Sequence, residues 1–189
     1  MATMNVAEVG IGSAAVTGAI WVAPKDTTLP TDATTTLSGS FVLLGFTSDA
    51  GVTISESTSK TDFRAWEGRQ LVRTVTTEYT ESVSFMPIQC NSDVAKLMWG
   101  NGKVTVGTGG ALHIQHHGES IDPVVVVIET TPRTGYVNRY TGTFQLVERG
   151  EQTMDGASVD GRQLTFNAIP DSNGITMHEY VAAVSGTTS

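Results

Sequence analysis

TVTTEYTESVS, Thr74 to Ser84, is the stretch that decides the fold. Its even positions, Thr74, Thr76, Glu78, Thr80, Ser82 and Ser84, are all polar, whereas its odd positions include Val75, Tyr79 and Val83. A period of two places the two sets on opposite faces of one strand. Neither Gly nor Pro interrupts the run before Pro87. At about 3.3 Å per residue it spans more than about 30 Å, roughly twice an ordinary strand. A long strand with one hydroxyl-rich face suits the wall of a barrel or tube. An ordinary solvent-facing strand with a bend is the plainer alternative.

Upstream, GVTISE (51–56) alternates and reads as a strand, SFVLLGF (40–46) as a buried one, and AIWVA (19–23) as a short one ending at Pro24. The Thr-rich segment 25–38, with Pro30, reads as a loop or extended arm. Residues 57–70 (STSKTDFRAWEGRQ) are polar and charged yet carry Phe63 and Trp66. They read as a long inter-strand loop whose aromatics either fold back on the core or meet a partner. Downstream, NSDVAKLMWG (91–100) is the best helix. Asn91 or Ser92 can cap it, Asp93 suits its positive end, Gly100 can close it, and Val94, Leu97 and Met98 form one apolar stripe. Strands follow at 103–106, 111–115, 124–130, 136–147 (with a break expected at Gly142) and 162–169, then a DSNG turn at 171–174.

Thr, Val, Ser and Gly dominate the composition, which favours β structure. With no internal repeat and no linker, the chain reads as one mainly β domain over 1–189. The expected architecture is a β-sandwich or barrel with one flanking helix near 91–100, a long inter-strand loop and extended terminal arms. Residues 1–18 form a small, Gly-containing arm expected to order against a neighbour, and 185–189 a frayed end.

The net charge is −8, with no cluster of Lys or Arg, which argues against a nucleic-acid grip. The lone cysteine, Cys90, excludes an intramolecular disulfide and reads as a small buried hydrophobe. No run reaches the roughly 20 apolar residues of a membrane helix, and the first twenty residues lack Lys and Arg, so synthesis in a cytosol is expected. Catalytic signals are weak. His113, His116 and His117 (H-x-x-H-H) have no adjacent Cys or acidic partner and read as a polar strand end. Gly107 to Gly110 lacks the Lys of a phosphate loop, and Glu78 and Glu81 should point to opposite faces. No catalytic, cofactor-binding or metal residue is assigned.

The order of several short motifs carries a resemblance. Trp21-Val22-Ala23-Pro24 is followed by a Thr-rich arm with Leu29-Pro30, then by Leu44-Gly45-Phe46-Thr47-Ser48-Asp49-Ala50-Gly51-Val52 and Phe63-Arg64-Ala65-Trp66-Glu67-Gly68. The long alternating strand and the 91–100 helix come next. Across about residues 19–100 this resembles the tail tube (major tail) protein of long-tailed, non-contractile phages, the siphophages. The C-terminal half matches only in its general run of strands and its closing turn.

The resemblance implies six-fold rings that stack into a tube in the virion tail, after synthesis in the bacterial host cytoplasm. It also implies assembly on a tape-measure protein between initiator and terminator proteins. The lumen would conduct DNA into the host without specific binding, and no membrane or cofactor would take part. The face bearing Thr74, Thr76, Glu78, Thr80, Ser82 and Ser84 would line the lumen. Arg73, at an odd position, would point into the subunit or an interface and need an acidic partner. Asp62, Phe63, Arg64, Trp66 and Glu67 would make the ring-to-ring contact. The alternatives are a β-sandwich binding module for a carbohydrate or receptor, or another virion protein such as a tail terminator or head decoration protein.

Overall fold

The computed structural model describes residues 10, 12–14, 19–132, 135–157 and 159–183. Most of the expected N-terminal arm, and the end from 185, lie outside these residues. Among these residues ten strands and one α-helix form: β1 Ile20–Pro24, β2 Val42–Leu43, β3 Thr47–Arg64, β4 Leu71–Pro87, α1 Ser92–Trp99, β5 Val104–Val106, β6 Leu112–Ile114, β7 Val124–Thr130, β8 Tyr136–Arg149, β9 Leu164–Ile169 and β10 His178–Ala183. Eight of the strands make one antiparallel sheet in the order β2-β1-β7-β8-β9-β4-β3. On one side of β8, β10 pairs with its first half and β9 with its second. The β5–β6 hairpin stands apart, beside α1.

One face of the sheet closes on a single core. Ile20 and Val22 of β1, Val83 and Phe85 of β4, Phe144 of β8, and Leu164 and Phe166 of β9 share it with Val94 and Leu97 of α1. β1 and β4 lie four pairings apart along the sheet yet meet in this core, so the sheet rolls into a barrel-like wall. The Phe85 and Phe166 rings stack with centroids 5.4 Å apart. The helix forms as its caps dictate: the Asn91 side chain accepts from the Asp93 and Val94 amides, and Gly100 ends it at φ 82°.

The opposite face is roofed near β1 and β7 by residues 25–41. Ala23, Phe41, Val125 and Val127 form a second cluster with Leu29 and Leu37 against it. The buried Arg139 ties this segment down. Its Nε and Nη2 donate to Glu129 Oε1, at 2.9 and 2.7 Å, and its Nη1 donates to the carbonyls of Asp32 and Thr35, at 2.8 and 2.9 Å. The Asp32 carboxylate accepts from the Thr35 hydroxyl and from the Thr35 and Thr34 amides, which hold its pKa down at about 2. The Thr-rich arm is therefore a packed cover, ordered by its own turn.

Several expectations change. Residues 57–70 are not a long loop: β3 runs on to Arg64, a turn occupies 65–70, and β4 starts at Leu71. Polarity on both faces marks a strand that leaves the core for solvent, and β-branched Thr is a good strand former. The 40–46 stretch yields only the two-residue β2, with Phe41 and Leu44 buried beside it. β8 passes through Gly142 unbroken, paired there with Val126, and the glycine is required because the Thr176 carbonyl would lie 2.7 Å from an added Cβ. Cys90 is exposed, not buried, since it sits in the connection between β4 and α1 rather than on a strand face. β10 had no counterpart in the sequence reading.

Phe85→Ala should lower unfolding free energy by about 3–5 kcal/mol, through lost apolar contact and a residual cavity, measured by denaturant titration. Asp32 has a depressed pKa, so its stabilising effect is present above its ordinary value of 3.8 and is lost as pH falls toward about 2. Asp32→Asn should flatten the pH dependence of the melting temperature in that window and leave it unchanged in shape above pH 5.

Candidate functional site

The β3–β4 hairpin divides at its middle. Toward its root, Glu81, Val83, Phe85 and Pro87 are buried and Ser82, Ser84 and Met86 are half-buried. Beyond that, residues 55–64 of β3 are exposed, and so is β4 from Leu71 to Thr80 except for the half-buried Val75. β9 pairs only with Ser82 to Phe85, so no strand among the described residues flanks the outer half of β4. Among the described residues β3 ends the sheet, and its outer edge pairs with no strand. The outer hairpin is thus a two-stranded arm with open backbone edges on both sides.

The register assigns each side chain to a face, because directly paired residues share one. Ser84, Ser82, Thr80 and Glu78 pair with Thr53, Ser55, Ser57 and Ser59. Ser59 then pairs with Glu78 but Lys60 with Thr76, leaving Thr77 as an extra residue. Such a bulge reverses the alternation. Thr74 and Thr76 therefore lie on the other face, with Asp62 and Lys60, and the Thr74 hydroxyl donates to Asp62 Oδ1 at 2.7 Å. The six even positions of the sequence reading do not share one face. The hydroxyl face instead contains four of them, together with four residues of β3 that the reading overlooked. Thr53, Ser55, Ser57, Ser59 and Thr61 already alternate in the sequence, a signal that the loop assignment concealed. The same bulge brings Arg73, exposed and paired with Phe63, to the far end of this face rather than into the subunit.

Root residues on the opposite face carry a cost. Glu56 pairs directly with Glu81, which is 6% exposed and accepts a hydrogen bond from the Thr176 hydroxyl. Like charges directly opposite are unfavourable. Tyr79, next on this face, has its hydroxyl pKa raised by desolvation and then by the Glu81 and Glu56 charges.

At the arm's tip, Gly68 and Arg69 adopt positive φ (64° and 52°) to turn the chain, and the Ala65 amide donates to the Gln70 carbonyl at 2.8 Å. Phe63 is 55% exposed and Trp66 95% exposed. Neither folds back on the core. Arg64 lies 3.6 Å from Asp62 and Glu67 is exposed, so the five expected contact residues do gather at one tip.

The H-x-x-H-H residues pack rather than converge. His116 lies flat on Trp99, centroids 3.9 Å apart, while Arg149 sits 4.5 Å from the centroid of the same ring. His117 Nε2 lies 2.7 Å from the Trp99 carbonyl, and His113 is exposed on β6. No group of three metal-ligating side chains occurs among the described residues.

A sequence model of the family described as phage tail tube protein matches residues 3–164. No curated protein matches the chain. Among solved structures, the tail of an empty gene transfer agent particle with C6 symmetry is similar at 14% identity and TM-score 0.41, covering 78% of this chain and 89% of that one. A virion of a native gene transfer agent is similar at 10% identity and TM-score 0.42, covering 87% and 95%. The sheath–tube complex of an extracellular contractile injection system in its extended state gives 10% identity and TM-score 0.39, covering 96% and 100%. With its family model spanning most of the sequence, the chain belongs to the phage tail tube protein family and is a structural protein of a tail tube.

Proposed function

We propose that this chain closes into rings through the open edges of its β3–β4 arm, and that the rings, six-fold in symmetry, stack into the conduit through which DNA leaves the virion. The observation that carries this reading is the arm itself: a pair of long strands with unpaired backbone on both sides and few side chains buried beyond its root. Exposed edges of this length invite aggregation in a protein meant to stay monomeric. In a ring, the β3 edge of one subunit satisfies the β4 edge of the next, and ring closure removes both open edges of the arm.

The hydroxyl face of Thr53, Ser55, Ser57, Ser59, Glu78, Thr80, Ser82 and Ser84 faces the lumen in this reading. Apart from Arg73 at its far end it offers DNA no cation, and Glu78 repels phosphate, so the duplex slides without being held. Asp62, Phe63, Arg64, Trp66 and Glu67 make the ring-to-ring contact. The protein acts without catalysis or cofactor, and is made in the host cytoplasm before joining the tail. Tape-measure, initiator and terminator proteins set where the tube starts and stops. The tube belongs to a non-contractile tail, as the motif order in residues 19–100 implies.

Negative-stain microscopy of the concentrated protein tests this directly. Hollow tubes or stacked rings with a bore that admits duplex DNA are expected; a uniform field of small particles, even with added tape-measure and initiator proteins, would overturn the reading. Trp66→Ala should leave the melting temperature nearly unchanged and weaken stacking by about 2 kcal/mol or more, seen as a rise in the concentration needed for tubes. Glu78→Lys combined with Ser82→Lys should leave tubes intact but make them retain DNA at low salt and release it at high salt.

A further inference from the structure

β3 joins two complementary features. At its far end stands Trp66, 95% exposed. At its near end, where β2 leads into β3, a cleft of about 620 Å3 opens in the seam of the rolled sheet. Leu43, Phe46, Val52, Ile54, Ile128 and Tyr140 line it, and among the described residues no charged side chain does. Phe46 is 73% exposed at its mouth. A cleft of this size is within the range that holds whole ligands, so it has ample room for an indole.

Charge separates the same two ends. Residues 60–73 carry Lys60, Arg64, Arg69 and Arg73 against Asp62 and Glu67, a net +2 in a chain of net −8, so the remainder stands at −10. Near the cleft the charges are acidic: Asp49 follows Ser48 of the lining, and Glu56, opposite Glu81, follows Ile54 on the same face of β3. A basic, tryptophan-tipped arm therefore complements an apolar cleft with acidic flanks on a second copy of the same chain.

We infer that the seam cleft is the socket for Trp66 of a neighbouring copy, with Phe46 packing on the indole. This rests on the stacking reading above and deepens it by naming the receiving surface. Because knob and socket occupy opposite ends of one strand pair, the contact is head-to-tail and does not close on itself, so each copy leaves a free knob and a free socket. The arm's length then sets the advance per ring, and the cross-strand Glu56–Glu81 repulsion is relieved when the basic tip arrives.

A double-mutant cycle on tube assembly tests it, using Phe46→Ala, Trp66→Ala and the pair, each checked for an unchanged far-ultraviolet spectrum and melting temperature. Each single change should raise the critical concentration about tenfold or more. The double variant should be little worse than the weaker single, since both remove one contact. Effects that multiply, or a Phe46→Ala protein that assembles as the wild type does while Trp66→Ala fails, would overturn the socket and leave stacking by the tip standing. Wild-type tubes with a normal Trp66→Ala variant would overturn both.

Thiol cross-linking of Asp49→Cys with Glu67→Cys, in a Cys90→Ser background, gives an independent readout. A ladder of covalent oligomers is expected from assembled tubes. Tubes without a ladder, or closed dimers alone, count against the socket. So would a protein lacking residues 1–9 in which Phe46→Ala loses its effect, because the chain's own N-terminal segment would then be the occupant.

Discussion

Phe85 of β4 stacks on Phe166 of β9, and this contact anchors the root of a hairpin whose outer half is exposed. The core beneath β4 ends at Val83; the strand continues for some ten residues past it. A strand pair without a third partner or a covering layer is marginal in water. The arm holds its shape because its root is clamped in the core and because hydroxyl contacts, such as Thr74 with Asp62 and Thr77 with the Ser59 carbonyl, link the strands along its length. Rigidity at the root and solvent at the tip are what an element needs if it is to reach another molecule.

The same division explains the unfavourable features. Exposed Trp66 and Phe46, open strand edges and the Glu56–Glu81 pair all weaken the isolated subunit or make it adhesive. All three lie on or beside the β3–β4 arm. Elsewhere Arg139 pairs with Glu129 while fixing the 25–41 cover and the helix is capped at both ends, while Trp21 Nε1, Asn138 Oδ1, Thr141 Oγ1 and Arg149 Nε are buried without a hydrogen-bond partner. In the function proposed above, these exposed features sit where the next subunit binds, so part of the assembly free energy comes from surface that folding leaves incomplete.

Much of this was legible from residue order. The alternation around Val83 and Phe85, the Asn91 and Gly100 caps, and the valine run of β7 follow from local periodicity and stereochemistry, and each formed as read. The tip residues also gathered as their sequence proximity required. The misreadings share one cause. Ser57 to Arg64 looked like a loop because strand recognition relies on one apolar face, and an arm exposed on both faces has none. The bulge at Thr77 needs no Gly or Pro, so nothing local announces that Thr74 and Thr76 change sides.

The sequence by itself determined the mainly β class, the helix with its caps, the family and the clustering of Phe63 and Trp66 at one tip, because each depends on neighbours within a few residues or on motif order. Only the tertiary structure decided which face each serine and threonine occupies, where the seam cleft opens, and that Glu56 meets Glu81. Those depend on the register between strands and on how far the core extends beneath them. Both are set by contacts between residues distant in the chain, where backbone pairing and side-chain volume decide together.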